Sequence, residues 1–167
     1  MRLAIGIATR GRAAILAETL DKLERQTRRP DRIIVCHVTP EDVGAPRPGV
    51  EYLLSPAGLP RQRNAILDAT ADCDLLLFLD DDFLPAPDYC AVTEAVLAAR
   101  PDCVVTTGTV LADGANAPGY SPEEGRAILA RDRYAGGPLA AAAAFQRLWL
   151  QHGGAAGSGA AARHPGG

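Results

Sequence analysis

Residues 75–82 read LLLFLDDD, an unbroken apolar run that stops on three consecutive aspartates, Asp80, Asp81 and Asp82. An apolar run of this length, without the polar alternation of a half-solvated strand, is the pattern of a parallel strand buried on both faces. The expectation is a central strand over 75–79 with the acids at its carboxyl end. In open α/β sheets, ligands bind in the crevice beyond that end. Adjacent carboxylates repel one another, a cost a protein tolerates when a divalent cation neutralises them. Oxygen ligands of this kind suit Mg²⁺ or Mn²⁺, which take one or two carboxylates and complete their shell with substrate phosphates. The plain alternative is a solvated acidic turn.

Outward from this run, strand and helix patterns alternate. Residues 3–8 form a short apolar strand that ends on Thr9, Arg10 and Gly11, after which Ile15, Leu16, Leu20 and Leu23 recur at helical spacing. Pro30 closes that helix, and 32–38 (RIIVCHV) is β-branched and apolar enough for a second buried strand. A loop rich in Pro and Gly over 39–49 leads to a third strand at 50–54. Gly58 and Pro60 introduce a helix to about Ala69, with Arg61, Arg63 and Asn64 in its first turns. Beyond the aspartates the pattern predicts a helix over 89–99 and a strand over 103–110. Ser121 and Glu124 form a capping box for a helix to about Tyr134. This order predicts an α/β fold, a doubly wound and mostly parallel sheet of Rossmann-like nucleotide-binding character.

Composition narrows the function classes. A formal charge of −3 leaves no basic stripe to track a phosphate backbone, so nucleic acid is not an expected partner. No stretch approaches the ~20 apolar residues that span a bilayer, and the amino terminus reads as a strand and not a signal peptide. A soluble, cytoplasmic protein without a transmembrane segment is expected. Cys36, Cys73, Cys90 and Cys103 are scattered without C-x-x-C or zinc spacing, so reduced thiols are expected.

From Ala135 the chain becomes Ala- and Gly-rich and carries no acid. The expected organisation is a domain over 1–134 and a tail over 135–167, with one helix possible over 138–150 and disorder at the end. A linker or foreign tail and a GC-rich gene cut or read out of frame are equally compatible with that composition.

Three segments, IGIATRGR at 5–12, GLPRQRNAIL at 58–67 and DLLLFLDDDFLPAPDY at 74–89, occur in the order found in the family 2 glycosyltransferases, which the chain resembles over residues 3–112. The resemblance implies the GT-A fold, here incomplete: a nucleotide-sugar-binding half without the later half that holds the acceptor. It implies that Asp80 and Asp82 form the D-x-D pair, with Asp80 near the ribose or the metal and Asp82 a metal ligand that contacts the diphosphate of the sugar donor. Asp81 takes the variable middle position in the substrate site. Thr9 and Arg10 would border the base, and Arg63 with Asn64 would close the pocket. Arg10 and Arg12 are otherwise surface arginines at a helix start, and Arg63-Asn64 an exposed helical turn.

The second strand departs from the family, which often places a base-gripping acid where this chain has Cys36 and His37; Asp42 lies further along the same loop. His37 itself reads as a packed or exposed strand-end residue and not as a ligand. The implied reaction is metal-dependent transfer of a sugar from a nucleoside diphosphate sugar to an acceptor hydroxyl, with inversion, in polysaccharide or glycan biosynthesis. No residue can be assigned as general base, so a truncated remnant that only binds nucleotide sugar and metal is the alternative. A magnesium-dependent phosphohydrolase is the weaker third reading, because Phe83-Leu84-Pro85 follows the acids without that chemistry's supporting motifs.

Overall fold

The computed structural model describes residues 1–108 and 120–131. The chain divides into two compact units, Met1–Glu94 and Ala95–Gly167. The boundary expected after Tyr134 and the helix expected over 138–150 lie outside the described residues.

In the first unit, β1 (Leu3–Ala8), β2 (Arg32–His37), β3 (Val50–Leu54) and β4 (Leu75–Asp80) form one four-stranded sheet in the order β3-β2-β1-β4. Every pairing is parallel, and the register sets Ala8 beside both Cys36 and Asp80. The fold is α/β, as the alternating pattern predicts. Helices α1 (Ala13–Glu24), α2 (Leu59–Ala69) and the start of α3 (Tyr89–Ala99) accompany the strands, and a single 3-10 turn spans Pro40–Asp42.

The sequence of β1 explains how the sheet is covered. Its odd positions are large (Leu3, Ile5, Ile7) and pack in one cluster with Leu16, Leu20 and Leu23 of α1. Its even positions are small, and Ala4 packs on the opposite side with Ile34, Cys36 and Ile66 of α2. Helix α1 therefore lies on one face and α2 on the other, with α2 drawn close because β1 offers it little side-chain volume. A Cβ added at Gly6 would stand 2.5 Å from Ile66 Cγ2 and 3.3 Å from Leu76 Cδ1. That methyl belongs to a β-branched side chain with a stiff χ1, so α2 itself must move. Gly6→Ala is expected to cost about 1–3 kcal/mol by overpacking. Urea unfolding measures it, and a loss below ~0.5 kcal/mol would show that the helix floats on the sheet.

Two strand expectations are corrected. The run at 75–79 reads as a central strand, but among the described residues β4 has β1 as its one neighbour, and Phe78 is 37% exposed. Residues 103–108 of the strand expected over 103–110 form no strand, and Val104 and Val105 are 91% and 79% exposed. β-Propensity reports how well a residue fits a pleated, half-buried surface, and no described strand pairs with this segment. In the second unit, α4 (Pro122–Arg131) carries the expected capping box. The Ser121 N–H donates to Glu124 Oε2 at 2.7 Å, and the Glu124 N–H donates to Ser121 Oγ at 3.2 Å. All four cysteines are free thiols, and no helix of the described residues is long and apolar enough to cross a membrane.

Candidate functional site

The chain runs from β1 through β2 to β3 on one side, then returns to place β4 on the other side of β1. The order reverses between β1 and β4, and such a switch point leaves a crevice at the carboxyl ends of the two strands. Thr9 follows β1 there, and the aspartate triplet closes β4. The helices α1 and α2 begin at the same end. Neither has an acid in its first turn or a side-chain cap on its N–H groups, an arrangement that favours an anion.

The three acids differ in burial and in their partners. Asp81, on the α1 side, is 4% exposed and accepts a 2.7 Å hydrogen bond from the Thr9 hydroxyl, itself 3% exposed. Its backbone carbonyl accepts from Thr19 Oγ1 of α1 at 2.7 Å. Burial pushes the Asp81 carboxyl up, opposed by the Thr9 bond and by Arg12. Asp82 is exposed and accepts from Arg12 Nη1 at 2.9 Å, while the same nitrogen stands 3.3 Å from Asp81 Oδ1. Asp80, 73% exposed on its side chain, meets Arg63 Nη2 of α2 at 3.5 Å. That guanidinium also lies over the Phe78 ring, 5.6 Å from its centroid.

Of the residues singled out in the sequence, Thr9, Arg63, Asp80, Asp81 and Asp82 come together at this end. Arg10 is exposed beside them. Asn64 is exposed on the helix face opposite Gln62 and Ile66, which are the buried residues of α2. His37 is 8% exposed, with Nδ1 2.8 Å from the Thr39 carbonyl and its ring edge-on to Tyr52 at 6.3 Å, the packed one of the two strand-end placements expected.

Asp42 is not available to grip a base. It is 5% exposed, and its carboxylate accepts from the Gly11 N–H at 2.7 Å, Val38 N–H at 2.9 Å and Thr39 N–H at 2.8 Å. These backbone bonds, Thr39 foremost, hold its pKa below the usual aspartate value. The bond from Gly11, whose φ is +68°, fastens the loop after β1 to the loop after β2. Gln62, 4% exposed, performs a parallel task from α2: its Nε2 donates to the Thr9 carbonyl at 3.0 Å and the Cys36 carbonyl at 2.8 Å. Thr19 and Gln62 were not expected from the sequence as site-building residues, whereas Arg12 was named there as either a ligand-facing or a surface arginine. The available signal was spacing: Gln62 lies four residues before Ile66 and shares its buried face.

Asp80 and Asp82 offer carboxylate oxygens, the donor type that Mg²⁺ and Mn²⁺ take, and two would be enough only where phosphate and water complete the shell. Among the described residues no group of three His, Cys, Asp or Glu side chains could hold a metal alone. An ion here would therefore depend on an anionic ligand. A separate cavity of about 160 Å³, lined by Leu23, Pro30, Ile33, Pro48 and Val50, lies at the amino-terminal ends of β2 and β3. It falls below the ~300 Å³ at which small-molecule pockets begin. No protein-family model matches the chain and no curated protein matches it, so the functional reading stands on these residues and this fold alone.

Proposed function

We propose that the first unit binds a nucleoside diphosphate sugar at the switch point between β1 and β4, as the donor-binding half of a metal-dependent GT-A-type glycosyltransferase. The observation that carries this reading is the coincidence of the acid triplet with the crevice that the strand order creates. Asp80 and Asp82 would hold Mg²⁺ or Mn²⁺, which supplies Lewis-acid stabilisation of charge on the leaving diphosphate. The chain's own residues orient the ligand. The buried Thr9–Asp81 bond locks β1 to β4 and leaves Asp80 and Asp82 on the rim. Arg63 and the open amino ends of α1 and α2 complement the diphosphate. Arg10 and the loops after β1 and β2 border the base.

A second reading, binding without transfer, draws on the state of the acids. Asp80 and Asp82 carry arginines, Asp81 carries Thr9 and Arg12, and Asp42 carries three N–H groups. None stands ready to take the proton of an acceptor hydroxyl, which the transfer of a sugar with inversion requires.

Calorimetric titration of the full chain with UDP and with GDP, in Mn²⁺ and in EDTA, tests the shared claim. Saturable binding in Mn²⁺ and its loss in EDTA are expected. Equal binding in both buffers, or none in either, overturns the metal-linked site. Release of nucleotide from UDP-glucose or GDP-mannose by the same samples would decide for an enzyme over a binding module.

A further inference from the structure

Arg12 precedes the first turn of α1, and one of its nitrogens, Nη1, stands 2.9 Å from Asp82 Oδ2 and 3.3 Å from Asp81 Oδ1. This positive nitrogen therefore neutralises Asp82, one of the two carboxylates assigned above to the ion, while leaning on the buried Asp81 beside it. The two carboxylates differ in how firmly they are held. Asp81 is buried and fixed by Thr9, whereas the side chains of Asp82 and Arg12 are 56% and 48% exposed. An exposed ion pair of this type is weak and breaks readily. Arg12 is the N-cap residue of α1, whose first-turn N–H groups carry no side-chain cap, so on leaving Asp82 its guanidinium is still carried by the residue at an anion-favouring helix end.

We propose that Arg12 is an internal substitute for the divalent ion, one that holds Asp82 in the ligand-free protein and is exchanged when the metal arrives with a diphosphate. This rests on the donor-site reading above and adds regulation to it. The exchange makes metal and nucleotide binding mutually dependent. The metal alone must displace a guanidinium from Asp82. With a diphosphate present, the displaced guanidinium gains a phosphate partner, for which its planar fork is suited. Arg12 thus opposes the metal alone and favours the metal with nucleotide.

The test is the free-Mn²⁺ signal in electron paramagnetic resonance, read for the full chain, Arg12→Gln and Arg12→Lys, first with Mn²⁺ alone and then with Mn²⁺ and UDP or GDP. Arg12→Gln is expected to bind Mn²⁺ alone up to about fivefold more tightly, since the competing cation is gone. It is expected to bind Mn²⁺ with nucleotide about tenfold more weakly, since a charge-assisted phosphate contact is lost. Arg12→Lys, which keeps the charge, is expected to stay near the parent with Mn²⁺ alone. Effects of opposite sign set this apart from a merely structural residue, which would weaken both.

If Arg12→Gln leaves affinity for Mn²⁺ alone unchanged or lower, the exchange is overturned while nucleotide-linked binding by the parent keeps the donor site. If Arg12→Lys tightens Mn²⁺ binding as much as Arg12→Gln, charge competition is overturned in the same way. If the parent itself binds no nucleotide with Mn²⁺, both readings fall together.

Discussion

The Asp42→Ala variant is expected to lose about 3 kcal/mol of folding stability at neutral pH, lowering its thermal midpoint by roughly 10–20 °C. The carboxylate is 5% exposed and accepts three backbone N–H groups from two loops. Alanine leaves those part-buried donors without their charged acceptor, and each such bond is worth about 1.5–3 kcal/mol. The bonds share one acceptor and the loops can relax, so the whole is expected to be less than their sum.

The pH dependence follows from the direction of the Asp42 shift. Its pKa in the folded chain lies below the ordinary value of 3.8, chiefly through the Thr39 N–H. Above that ordinary value the unfolded and folded chains both carry the carboxylate, and its stabilisation is fully present. As pH falls through the depressed folded value the stabilisation is lost, because the unfolded chain takes up the proton first. Parent and variant should therefore converge in stability in strong acid and differ most at neutral pH. Urea unfolding at both ends of that range decides it. A neutral-pH difference below ~0.5 kcal/mol would mean that the clasp between the loops holds nothing.

The elements that a hydrophobic period defines were legible in the sequence. The expected strands at 3–8 and 50–54 and the helix over 89–99 match β1, β3 and α3, and the capping box at Ser121 opens α4. Each is set by local chemistry: an apolar run, a 3.6-residue repeat, or a hydroxyl and a carboxylate three residues apart. Pairing was not legible. The segment over 103–108 has strand composition and no strand, because a ladder partner is a property of the sheet and not of the residues that would join it.

The place of the acid triplet at the carboxyl end of a strand was legible because LLLFL stops abruptly on it. The division of labour within it was not. Side chains alternate faces along a strand, so Asp81 falls on the α1 side with Leu77 and Leu79, and burial there makes it the anchor of the group. Gln62 and Thr19 were missed for a related reason, as was the clasp between Asp42 and Gly11. Each contact joins a polar side chain to a backbone group far away in the sequence, and only the folded chain supplies that partner.

The claim on which the account depends is a divalent ion shared between the rim aspartates and a nucleotide's diphosphate. Asp82→Ala tests it with little interference from folding, since the side chain is 56% exposed and a surface change of this kind alters stability by about ±0.5 kcal/mol. Even residues that only support a metal's direct ligands change affinity about 10–100-fold, so removal of a direct ligand is expected to cost at least ~100-fold. The measurement is a side-by-side calorimetric titration of the full chain and Asp82→Ala with UDP or GDP at fixed Mn²⁺, circular dichroism verifying that both are folded. The account predicts saturable binding by the parent and a loss of at least about 100-fold in the variant. Equal affinity in the two folded proteins would contradict it.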